Sequence, residues 1–399
     1  MTSNWNPESV GYCANVHPTL GTADLIHNIA HYASDVREKL ALTSMAYGLW
    51  IPNKIASSLH DSQHSISELK DTLLENSVSI RTINAFPYGN FHQKIVKASV
   101  YTPTWAETSR VLYTMQIAKL FVKLMGSSQQ KGSISTLPLG YKTEWHEELE
   151  NLAIKNLCSI ANQLSDLEAN TGKRIIVCIE MEPDCALEST SELVVFFEKL
   201  RSKSSIYQAN PDTINRYLGI CFDVCHQAVM HEAIAHSLKA IHSNDITIGK
   251  VQISNALRIK QQTDISAEEF SLLIDEKYLH QMKAGSESKI VDSVQDLNKH
   301  SIHKLANSPY EWRIHFHVPV YLEEFSIGNT TINTTRHCID ETLLYLHQNP
   351  ELEPDIEIET YTLPVLLSHQ EKNYNDSDLI ATLVTEMNWL HTRMQHVIQ

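Results

Sequence analysis

The run Ile175-Ile176-Val177-Cys178-Ile179-Glu180-Met181-Glu182-Pro183-Asp184 decides how this chain reads. An apolar, β-branched stretch of strand length ends in acids instead of running on into a helix. Gly219-Ile220-Cys221-Phe222-Asp223-Val224-Cys225-His226 repeats the pattern, and so does Ile356-Glu357-Ile358-Glu359-Thr360-Tyr361 near the far end. Working outward, strand-like runs fall at 11–16, 45–51, 79–85, 133–139, 175–180, 218–223, 250–254, 313–318 and 356–361. Longer amphipathic stretches lie between them, at 22–40, 107–124, 144–167, 192–200, 227–238 and 335–346. In the first of these, Leu25, Ile29, Tyr32 and Val36 recur at three- and four-residue spacing. Repeated strand–helix alternation argues for a parallel sheet. Neither a G-x-G-x-x-G turn nor a G-x-x-x-x-G-K-[ST] loop is present. The expected fold is therefore α/β, a (β/α)8 TIM barrel. It forms a single domain over 1–399, with a helical insertion at 259–307 after strand seven. Nine runs compete for eight staves, and 313–318 reads as a return strand or a loop over the barrel mouth.

Composition narrows the function. Hydrophobic residues make up 42% and charged residues 20%, which excludes a disordered chain. The net charge of −15 offers no basic field for a phosphate backbone, so nucleic acid is not the expected partner. There is no apolar run long enough to span a bilayer and no basic-then-apolar leader. Seven cysteines without a C-x-x-C pair suit a reducing compartment, and the expected location is the cytoplasm.

In a barrel of this kind chemistry collects at the C-terminal ends of the strands. Residues two apart on a strand share a face, so Glu180 with Glu182, His315 with His317, and Glu357 with Glu359 each point one way. Acids and imidazoles aimed into a barrel mouth are costly without partners, and a divalent cation would satisfy several at once. Oxygen and nitrogen donors suit Mn, Zn, Co or Mg. His231-Glu232-Ala233-Ile234-Ala235-His236 spaces its histidines five apart, so it misses the shared face of an H-E-x-x-H helix. His17, after strand one, and Asn84, after strand three, are candidates for contacting an oxygen-rich or aromatic ligand. Lys250 carries no assigned role.

The order of these strand ends resembles the xylose-isomerase-like sugar phosphate isomerase/epimerase superfamily, and more narrowly the EboE-type metabolite traffic proteins. The segments that carry the resemblance are 11–18, 84–89, 133–140, 222–226, 250–254, 315–319 and 359–362, spread over nearly the whole chain. It implies a metal held by Glu180 (or its same-face neighbour Glu182), Asp223 and Glu359, with Glu180 and Glu359 also moving a proton beside a carbonyl. His226 would contact substrate oxygens or stand behind the ligands. Where the superfamily places a histidine on strand seven this chain has Gln252, a substrate-binding candidate, and His317 is expected to supply the imidazole from above. The implied partners are a small metabolite and proteins of a metabolite export pathway. Two other classes remain: a non-enzymatic metabolite-binding or scaffold protein, and, disfavoured by charge, a nuclease of the endonuclease IV type.

Overall fold

The computed structural model describes residues 5–260, 263, 265–286, 289–306, 308–363 and 375–398. Seven strands come first: β1 Gly11–Tyr12, β2 Met45–Trp50, β3 Val78–Asn84, β4 Lys131–Thr136, β5 Arg174–Glu180, β6 Leu218–Asp223 and β7 Thr247–Ile253. Six short ones follow: β8 Leu257–Ile259, β9 Met282–Ser286, β10 Lys289–Val294, β11 Glu311–Ile314, β12 Glu324–Ile327 and β13 Thr330–Thr334. β14, Asp355–Ile358, is last.

β1–β7 and β14 form one parallel sheet in the order β1-β14-β7-β6-β5-β4-β3-β2. A parallel bridge between Cys13 and Gly48 joins its two ends, so the eight staves nearly close into a barrel with the helices outside. The staves are buried on both faces, which explains their near-continuous apolar runs. Gly48 is small for a reason: a Cβ there would collide with the Glu357 carboxylate inside the barrel. Among the described residues no helix is long and apolar enough to cross a membrane.

The insertion departs from expectation. Among its described residues the stretch 259–307 holds two short helices, Ala267–Ser271 and Ser301–Ala306, together with β9 and β10. These strands belong to an antiparallel sheet, β10-β9-β11-β8-β13-β12, which extends the excursion to Thr334. Its core is its own: Leu257, Met282, Trp312, Ile314, Phe316 and Ile332 pack together. The polar composition of 259–307 suggested a solvated helix. Pairing explains the difference, because β10 is an exposed edge whose residues need no apolar alternation. The run at 313–318 is not a stave. β11 ends at Ile314, and 315–318 cross the barrel mouth as loop.

Candidate metal centre

β14 and the residue that follows it carry three acids at alternate positions, and their partners differ from bottom to top. Asp355 meets Arg81 at 3.2 Å and the Ser133 hydroxyl at 2.9 Å. Glu357 meets Lys250 at 2.6 Å and accepts from Thr82. Glu359, just past the strand end, accepts only neutral amides, from Asn15 at 2.7 Å and Asn84 at 3.2 Å. Lys250 thus lies in the barrel interior and neutralises Glu357, whereas the top acid has no cation within 4 Å among the described residues.

The other mouth residues repeat this. Among the described residues, no lysine or arginine nitrogen comes within 4 Å of Glu180, Glu182 or Asp223. Asp223 caps the helix Val224–Val229: its Oδ1 accepts from the His226 amide at 2.9 Å and from the Ser254 hydroxyl at 2.8 Å. Its Oδ2 is buried without a partner, as are Glu180 Oε1 and His317 Nε2. His317 donates through Nδ1 to the Glu359 carbonyl at 2.8 Å, which turns Nε2 inward. Orphaned acceptors this deeply buried are costly, and a cation among them removes the cost. The residues present therefore fit a divalent ion. Three overlapping groupings have their ligand atoms within 4.8 Å of one another: Asp223 with His226 and His317, Glu182 with His226 and His315, and Cys225 with His315 and His317. Glu180 and Glu359 belong to no grouping this tight and flank it.

The electrostatics follow the same division. Burial, with Glu359 and Asp223 nearby, pushes the Glu180 carboxyl well above the ordinary range. Burial and Asp223 do the same to Glu359. Burial would also raise Asp223, but His226, His317 and its hydrogen bonds hold it below the usual value. Burial lowers His317 to about 4, so this imidazole is neutral and able to ligate.

The remaining candidates part ways. Asn84 Nδ2 is spent on Glu359 and its Oδ1 on the Phe86 amide, so it holds an acid in place while lining the cavity. Gln252 takes the Cys221 thiol at 3.1 Å on its Oε1, leaving a buried amide nitrogen free as a donor. His17 is not brought to the cavity: it stacks on Tyr32 at 4.2 Å and meets the Tyr12 hydroxyl at 3.0 Å. The strand-one end turns into a short 3-10 helix, Ala14–Val16, which carries His17 outward and turns Asn15 in. Asn15, Tyr101 and Gln281 escaped the sequence reading, since each reaches the mouth from a turn or from the second sheet and none carries a pattern. His315 did carry one, the same-face pairing with His317.

No protein-family model and no curated protein matches the chain. Solved structures do. An L-ribulose 3-epimerase matches with TM-score 0.50 at 10% identity, over 97% of this chain and 95% of its own. A xylose isomerase-like TIM barrel protein from Mycobacterium smegmatis, in complex with magnesium, matches with TM-score 0.50 at 11% identity, over 98% and 97%. This chain has the xylose isomerase-like TIM-barrel fold. At these identities the likeness concerns that fold alone, and the second sheet, threaded between its seventh and eighth staves, is described by this chain's own residues.

Proposed function

We propose that this xylose isomerase-like barrel binds a divalent metal and a small oxygen-rich metabolite, and isomerises or epimerises it by moving a proton beside a carbonyl. The observation that carries the reading is the top of the barrel: among the described residues Glu180, Asp223 and Glu359 gather with no lysine or arginine within 4 Å, while the acids below them each have one. Asp223 and His317 would hold the metal, with Glu180 and Glu359 completing the set. A bound divalent ion would polarise a substrate carbonyl and its neighbouring hydroxyl. Glu180 and Glu359 approach from different staves, β5 and the end of β14, and their raised carboxyls suit groups that take up and return a proton. Asn15 and Asn84 fix the Glu359 carboxylate, whereas Gln252 is fully buried and does not line the cavity.

The cavity measures about 60 Å³ and opens to solvent. Phe86, Phe91, Tyr278 and Tyr361 form apolar walls above the polar floor. Lys97 is its one lining cation among the described residues, and its Nζ is spent on the carbonyls of Asp275 and Tyr278 and on Asp296. An uncharged metabolite fits these walls better than a phosphate ester. Handling a precursor for export, as in EboE-type proteins, is the second reading. Gln252 favours it, because the strand-seven imidazole is missing and the amide oxygen is already engaged by Cys221. The test is metal content after purification without chelator, then exchange of substrate C–H protons with deuterated solvent. Bound metal with exchange supports the isomerase. Bound metal without exchange across a panel of ketoses and cyclitols supports handling. A Glu359→Gln variant with full exchange would overturn the acid–base assignment.

A further inference from the structure

We infer that His226, His315 and Glu182 form a second cation site beside the carboxylate-rich one, nitrogen-rich and suited to zinc or a similar first-row divalent ion. The argument starts from tautomers. His226 Nδ1 lies 2.9 Å from the Met181 carbonyl, which can only accept, so Nδ1 carries the hydrogen. His315 Nδ1 lies 2.7 Å from Gln281 Oε1. That amide's orientation is set by its Nε2, which donates to the Pro183 carbonyl at 3.2 Å and to the Tyr101 hydroxyl at 3.1 Å. With both Nδ1 atoms so engaged, the two rings turn their Nε2 atoms towards each other, 3.2 Å apart. Two ring nitrogens at that distance are bridged by something positive, a proton or a metal ion. The Tyr361 hydroxyl, 3.4 Å from His315 Nε2, serves one ring and leaves the other unanswered.

The spacing is that of two ligands on one ion. Two nitrogens at 2.0–2.1 Å from a tetrahedral zinc lie about 3.3–3.4 Å apart. Glu182 supplies the third donor and the compensating charge, oriented by the Tyr101 hydroxyl at 2.6 Å. Donation of each Nδ1–H to a carbonyl oxygen is the usual outer support of a ligating histidine. All three side chains are at least 95% buried and line the cavity, so a fourth position would face a ligand or water. The His226 ring nitrogen is committed towards His315, which leaves Asp223 Oδ2 and His317 Nε2 to the first ion. Two histidines and one glutamate favour zinc over magnesium, while the first site is richer in oxygen. The inference holds whether or not the protein is an isomerase.

The test counts ions on the full chain. Metal-free protein is loaded with zinc, passed through gel filtration and analysed for bound metal. Two tightly held equivalents are expected in the wild type and one in His315→Gln. One is also expected in Asp223→Asn, and its zinc X-ray absorption should show two imidazole nitrogens. A single equivalent in the wild type that survives His315→Gln overturns the second site and leaves the first standing. Loss of all zinc in folded Asp223→Asn likewise overturns an independent second site. Should His315→Gln fail to fold, nitrogen-15 NMR of wild-type imidazoles decides. Zinc must shift Nε2 of both His226 and His315, and a proton shared between them in the zinc-saturated protein would overturn the site.

Discussion

Asp355, Glu357 and Glu359 show how a single residue's neighbours separate structure from chemistry. They share one face of one strand end, yet only the first two meet a cation. Removing Lys250 should strand Glu357 in the barrel interior. Lys250→Met is expected to destabilise the fold by about 3–5 kcal/mol in denaturant titration, and Lys250→Met with Glu357→Gln should recover most of the loss. Glu386, on the C-terminal helix Asp376–Ile398, is a second buried acid. It accepts from the Val320 amide at 3.0 Å and the Thr360 hydroxyl at 2.8 Å, tying the segment after His317 to the residue after Glu359. Burial pushes its carboxyl up from 4.5 to about 7. The folded state therefore prefers the protonated form. Its contribution is fully present below pH 4.5 and is lost as pH rises to about 7, a change on the order of 3 kcal/mol. Glu386→Gln should flatten that slope and raise stability at pH 8, as measured by urea unfolding across pH.

At the scale of elements, the staves were legible because buried parallel strands must be apolar, and eight of the nine runs are barrel strands. The second sheet was not legible. β9 reads Met282-Lys283-Ala284-Gly285-Ser286, without a β-branched residue, and becomes a strand because β10 and β11 pair with it. That sheet reaches the barrel through polar ties. Lys283 meets Asp184 at 2.5 Å, and Lys97 holds the carbonyls of Asp275 and Tyr278 at 2.7 and 2.8 Å. Hydrogen bonds to a charged group contribute roughly 1.5–3 kcal/mol each. Lys97→Met is therefore expected to speed amide exchange across 275–281 by at least tenfold, read by hydrogen–deuterium exchange, with the barrel staves unchanged. His315 and His317 owe their aim to the same sheet: Ile314, Phe316 and Val318 alternate into its core and send the histidines the other way.

For the whole molecule, the uncompensated mouth couples metal to stability. An ion that binds only the folded chain should stabilise it by about 2.7 kcal/mol at a hundredfold excess over Kd. Chelator should lower the denaturant midpoint, and an Asp223→Asn/His315→Gln variant should show no response to added metal. The sequence by itself determined the barrel, its strand ends and the acids and His-x-His pair that crown them, because side-chain periodicity along a strand is a local property. Which acids find a lysine, where His17 and Asn15 turn, and which imidazole nitrogens face one another were decided only by the tertiary structure. Those outcomes depend on distances between segments hundreds of residues apart, and no local pattern encodes such a distance.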